Sequence, residues 1–92
     1  MNIVKLILDL GMYYVYILRS QIRPNKIYTG YTNDLKMRLL VHNQGGCRHT
    51  SQYKPWGIEW YCAFNDKLKA VRFEKYLKSS SGKAFSNKRF LN

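Results

Sequence analysis

Tyr13-Tyr14-Val15-Tyr16-Ile17-Leu18 is the stretch that decides the fold. It is aromatic and β-branched throughout, the signature of a buried strand. Working outward from it, Arg23-Pro24-Asn25-Lys26 supplies turn residues, with Pro and Asn providing the turn dihedrals. Ile27 to Tyr31 then reads as a return strand, so the two segments form a hairpin. Gly30 lies inside that return strand, where glycine marks a bulge or the close approach of another group. Five tyrosines crowd the hairpin: Tyr13, Tyr14, Tyr16, Tyr28 and Tyr31. Tyr16 and Tyr28 are expected to face each other across it and cluster two hydroxyls. In a positive neighbourhood a phenol falls below its usual pKa of about 10 and can serve as a general base.

Beyond the hairpin, Thr32 and Asn33 are N-cap residues and Asp34 suits a helix N-terminus, so a helix is predicted from Asp34 to His42. It ends near Asn43 and Gly45-Gly46. Leu35, Arg38, Leu39 and His42 share one face by the i, i+3, i+4, i+7 rule. Met37, Leu40 and Val41 form a second apolar stripe. Gly45 to Pro55 is polar and basic and reads as a loop. Ile58 to Phe64 is a third strand. Asn65 or Asp66 caps a second helix to Lys78, with Ala70, Phe73, Glu74 and Leu77 on one face. Ser79-Ser80-Ser81-Gly82 breaks it, and Ala84 to Leu91 forms a last helical turn or two. The order argues an α+β domain, a small three-stranded antiparallel sheet flanked by helices.

The chain has 92 residues with 16 Lys or Arg against 5 Asp or Glu, a net charge of +11. Its length excludes several domains, because one domain takes about 100–150 residues. Its 46% hydrophobic content excludes disorder. Small domains usually carry a net charge of about 2–8. The excess therefore points to a polyanion, either nucleic acid or an anionic membrane surface, over a charge kept for solubility. Cys47 and Cys62 lack the spacing of a disulfide framework or a C-x-x-C site, and Cys47-Arg48-His49 with His42 lacks the paired knuckle of a zinc site. Free thiols in a reducing cytoplasm are the expectation. Met1 to Leu10 is apolar but half the length of a membrane span, which needs about twenty apolar residues. It reads as an N-terminal extension, residues 1–11, before a domain at 12–92.

Two constellations carry the chemistry. From Lys67 onward the chain has eight Lys or Arg and one acid, Glu74, which sits on the apolar face of its helix. Either Glu74 is a partly buried glutamate paired with a neighbouring Arg, or it is a metal ligand facing a phosphate site. A basic field keeps such a carboxylate ionised. Arg38 and His42 form the second constellation. Arg38 suits bidentate phosphate binding, and His42 one turn later suits proton transfer near neutral pH. The competing reading is a boundary arginine and a histidine hydrogen-bonded near a helix C-terminus.

Tyr14-Val15-Tyr16 followed by Tyr28-Thr29-Gly30 resembles the two signature tripeptides of the GIY-YIG nuclease family. Tyr31-Thr32-Asn33-Asp34-Leu35, Arg38 and His42-Asn43 fit its first helix. Pro55-Trp56 and Glu74-Lys75-Tyr76-Leu77-Lys78 fit its later segments. The resemblance spans Met12 to about Leu91. It is closest to the small single-domain branch related to the nuclease domain of the UvrC excision-repair endonuclease. It implies a GIY-YIG fold and hydrolysis of DNA phosphodiesters with a single divalent ion, Mg²⁺ or Mn²⁺, and no small-molecule cofactor. It gives Tyr28 the activation of water, Tyr16 its orientation, Arg38 the scissile phosphate and Glu74 the metal. His42 is a rival general base. The metal is expected to stabilise the leaving 3′-oxygen, giving 5′-phosphate and 3′-hydroxyl ends. Arg38, Lys75, Lys78, Lys83, Lys88 and Arg89 are the expected DNA contacts. The first tripeptide is Tyr-Val-Tyr instead of Gly-Ile-Tyr, and Asn87 is the candidate for a supporting polar residue found late in the domain of some members.

With no room for a separate DNA-reading module, specificity is expected to be low or directed to structure, as in repair or recombination. The competing class is a catalytically silent nucleic-acid-binding module, and a membrane-surface or protein-interaction domain using the apolar N-terminus ranks last. Met37, Leu40 and Val41 are expected to meet a second copy, a partner protein, or cover by Met1–Leu10.

Overall fold

The hairpin forms as expected and anchors everything else. The computed structural model describes residues 11–91. Strands β1 (Tyr13–Ser20) and β2 (Ile27–Thr32) pair antiparallel, and their turn closes through the backbone bonds Lys26 N to Arg23 O and Ser20 N to Lys26 O. β3 (Trp56–Phe64) pairs antiparallel with the other side of β1, giving the strand order β2-β1-β3. Three helices follow from their caps: α1 (Leu35–Asn43), α2 (Lys67–Lys78) and α3 (Ser80–Arg89). The result is the α+β architecture read from the sequence, a three-stranded antiparallel sheet flanked by helices.

Alternation along β1 divides the core in two. Val15 and Ile17 face α2 and pack with Ala70 and Leu77, joined by Phe73, Trp60 and Phe90. Tyr16 and Leu18 point the other way, packing with Trp56, Tyr28 and the α1 residues Leu35 and Leu39. The register of β3 changes between Ile17 and Leu18: Ile17 pairs with Trp60, but Leu18 pairs with Ile58. Glu59 is thus the extra residue of a β-bulge and reaches back to Arg19 at 3.2 Å. A one-residue insertion reverses the faces beyond it. Trp60 therefore packs on the α2 side and Trp56 on the Tyr16 side, although they stand four positions apart.

Several boundaries differ from expectation, each for a local reason. The cap of α1 is Asp34, whose Oδ1 accepts from Met37 N at 3.1 Å, while Thr32 Oγ1 accepts from Asp34 N. β3 begins at Trp56, two residues early, because Asn43 brackets the Trp56 backbone: its Oδ1 accepts from Trp56 N and its Nδ2 donates to Trp56 O. The segment from Gly45 to Pro55 holds a 3₁₀ turn at Ser51–Tyr53. The serine run ends α2 at Lys78, as expected, but a new helix starts within it. Ser79 caps α3, accepting from Gly82 N at 3.1 Å, so α3 starts at Ser80 instead of Ala84. Of the second α1 stripe, Met37 and Leu40 are exposed, whereas Val41 is half-buried beside Gly46. The readings made of Met1–Leu10, as an extension or as apolar cover, lie outside the described residues. Among the described residues no helix is long and apolar enough to cross a membrane.

Candidate active site

Tyr16, Tyr28, Arg38 and His42 come together on the α1 side of the sheet. The tyrosines do not face each other directly. Tyr16 pairs with Gly30 and Leu18 with Tyr28, so Tyr28 lies diagonally across from Tyr16 on the same face, with ring centroids 6.4 Å apart. Gly30 makes this arrangement fit, since a Cβ there would lie 2.5 Å from Tyr16 Oη. That is the close approach the sequence suggested.

The helical spacing of α1 brings Arg38 and His42 to the same hydroxyl. Tyr16 Oη lies 2.9 Å from His42 Nε2, and Arg38 Nε donates to it at 3.4 Å. His42 is fully buried, and its Nδ1 lies 2.8 Å from Thr50 Oγ1. Thr50 donates its own proton to Cys47 O at 3.3 Å. Its remaining role toward His42 is that of acceptor, which puts the imidazole proton on Nδ1 and leaves Nε2 to accept from Tyr16. Thr50 is held in turn by Trp56, whose Nε1 donates to Thr50 O at 2.8 Å. The chain of bonds has one direction: Arg38 to Tyr16, Tyr16 to His42, His42 to Thr50, Thr50 to Cys47.

Electrostatics follow from burial. Desolvation raises the Tyr16 pKa, against the opposing pull of the Arg38 hydrogen bond, so the expected lowering of a phenol does not occur at Tyr16. His42 shifts down, first through burial and then through the Arg38 charge, and stays neutral. The Tyr16 hydrogen bond raises Arg38, which remains a guanidinium.

Glu74 projects from α2 with a side chain 16% exposed, and its Oε1 lies 3.2 Å from Lys78 Nζ. The partner is thus a lysine one turn on, not an arginine. The same ammonium lies 5.6 Å from the Tyr28 ring centroid, linking Glu74 to the tyrosine cluster. Among the described residues no three His, Cys, Asp or Glu side chains cluster as a metal cage. A lone, largely buried carboxylate fits an ion of the Mg²⁺ kind, which keeps several waters and completes its shell with substrate phosphate. Lys78 and Lys83 line a cleft beside Tyr28. Lys75, Lys88 and Arg89 are exposed on α2 and α3.

Sequence reasoning missed Thr50 and the bracing role of Asn43. Neither carries a local signal, because each is recruited by the path of the 47–56 segment across the end of α1.

A model of the GIY-YIG catalytic domain matches residues 12–89. A UPF0213 protein of Streptococcus agalactiae is 38% identical over 72 residues, 77% of this chain and 80% of the relative. A structure-specific endonuclease subunit SLX1 homolog of Giardia intestinalis is 35% identical over 65 residues, which cover 66% of this chain but 18% of that protein. The solution NMR structure of the UPF0213 protein BH0048 from Bacillus halodurans superposes with a TM-score of 0.52 at 31% identity, over 86% of each chain.

Proposed function

Because the chain belongs to the GIY-YIG catalytic domain family, we propose that it is a divalent-metal-dependent DNA endonuclease of low sequence specificity or directed to DNA structure. The observation that carries this is the convergence of Arg38, Tyr16 and His42 on one hydroxyl, beside Tyr28 and the Glu74–Lys78 pair.

In this reading Arg38 binds the scissile phosphate and stabilises the charge that builds on it. The Tyr16 proton is committed to His42 and its oxygen accepts from Arg38, so Tyr16 acts from behind the site, fixing the guanidinium that orients phosphate and attacking water. Tyr28, half-buried where Tyr16 and His42 are closed off, takes the proton of that water. His42 then acts behind Tyr16, holding its hydroxyl in register. Glu74 would hold the divalent cation, Mg²⁺ or Mn²⁺, and Lys78, freed from Glu74, would pair with a substrate phosphate. When bound, that cation supplies Lewis-acid stabilisation of the leaving oxygen. Cys47 and Cys62, both free thiols, suit work in the cytoplasm, and structure-directed cleavage suits DNA repair or recombination.

A second reading has one observation in its favour. Glu74 already has a cation in Lys78, as a silent nucleic-acid-binding module would need. One experiment separates the two: incubation with supercoiled plasmid and branched DNA, in Mg²⁺, Mn²⁺ or chelator. Cleavage is expected in metal only, reduced about 10²–10³-fold or more in Glu74→Gln and in Arg38→Ala. Absence of cleavage in every metal, or unchanged cleavage in both variants, overturns the enzyme reading.

A further inference from the structure

We infer that the cleft beside Tyr28 binds one unpaired nucleoside of the DNA strand being cut. This rests on the nuclease reading above and names the substrate feature it selects. The cleft encloses about 330 Å³ between β2 and the corner where α2 meets α3. Its floor is apolar, built from Ile17 and Leu77, both nearly fully buried, together with Ile27. Its rim is polar: Lys78, Lys83 and the Asn87 amide. Among the described residues no hydrogen bond or ion pair engages the Lys83 ammonium or the Asn87 side chain.

These features match the parts of a nucleotide. A base has two apolar faces and an edge of donors and acceptors; the floor suits the faces, and an amide, with one acceptor and two donors, suits the edge. The two ammonium groups at the mouth suit the phosphates on either side. β2 is an edge strand, with the cleft on its α2 face and the Tyr28 ring on its α1 face. Lys78 lines the cleft and lies 5.6 Å from that ring, so it spans the edge, and a base seated here is joined around that edge to a phosphate at the candidate active site. A paired base keeps its faces against its stacked neighbours and cannot enter. An extrahelical or single-stranded base enters without that cost, so the cleft favours DNA with an unpaired position. An apolar peptide side chain would fill the floor and leave the Lys83 ammonium without an anion.

Equilibrium binding in chelator tests this apart from cleavage. Two otherwise identical duplexes carry 2-aminopurine, paired in one and extrahelical in the other. The wild-type chain is expected to bind the extrahelical form about ten-fold more tightly, with emission shifted to the blue as the base meets the apolar floor. Asn87 is exposed on α3, so it tolerates substitution. Asn87→Trp puts a ring over the mouth and is expected to abolish both the preference and the shift, with a wild-type urea midpoint reporting an intact fold. Asn87→Ala leaves the mouth open and keeps the blue shift. Equal affinity for both duplexes, or a shift that persists in Asn87→Trp, overturns the nucleoside site and leaves the nuclease reading to its cleavage assay. Failure to bind either duplex overturns both.

Discussion

His42 shows how a residue's role depends on what closes over it. On α1 it is one polar side chain among leucines; in the fold both ring nitrogens are engaged and it meets no solvent. Its pKa lies below the ordinary 6.5. Below that value the unfolded chain takes up a proton that the folded chain refuses. The stabilisation is therefore complete above 6.5 and is lost as pH falls from there through the depressed folded value. Urea midpoints measured from about pH 8 to pH 5 are expected to decline through this window, with a shallower slope in His42→Gln. That Arg38 and His42 share a stripe with Leu35 and Leu39 was legible from their spacing. That His42 leans on Thr50 was not, because the bond depends on a segment placed by Trp56. The side of the sheet Trp56 faces is in turn set by the bulge at Glu59, whose alternation pattern looks like any other strand residue.

At the scale of elements, the α2–α3 corner is where local signals place the end of one helix but miss the start of the next. Ser79-Ser80-Ser81-Gly82 has the composition of a helix breaker, yet Ser79 Oγ donates to Tyr76 O and accepts from Gly82 N, ending one helix and starting the next. Gly82 is needed for a reason its helical neighbours do not reveal. A Cβ there would lie 1.8 Å from Tyr76 O and 2.6 Å from Leu77 Cα, atoms of the backbone that cannot turn aside. Gly82→Ala is expected to cost about 3 kcal/mol or more in urea unfolding, because α3 must leave α2. By the same geometry Gly30→Ala displaces only the end of the Tyr16 side chain, so its expected cost is smaller, about 1–3 kcal/mol. The hairpin and the cap at Asp66 were legible because each rests on residues adjacent in sequence, whereas the cap of α1 falls at Asp34, past the expected Thr32 and Asn33. The register of β3 was not, because it is fixed by partners forty residues away.

For the whole molecule, the charge of +11 sets how binding responds to salt. Phosphate contacts release counterions, so log affinity should fall linearly with log salt, by about 0.9 for each phosphate neutralised on duplex DNA. If Arg38, Lys75, Lys78, Lys83, Lys88 and Arg89 all engage, the slope is about −5. Fluorescence anisotropy in chelator at about 50–200 mM salt reads it, and Lys75→Met should reduce its magnitude by about 0.9. A flat response would overturn the phosphate contacts expected of these six residues. This much was legible from composition alone, since a count of charges needs no fold.

The sheet order has one more consequence. β1 is the middle strand, bonded along both sides, with Val15 to Leu18 sealed from water. Its amide protons can exchange with solvent only when the sheet itself comes apart. Tyr16 is part of that strand, so it keeps its place in the candidate site for as long as the chain is folded. A destabilising change anywhere in the molecule is felt at Tyr16 in full. Any loosening needed to admit DNA must come from the rim, in Lys78 and the ends of α2 and α3, while the centre stays shut.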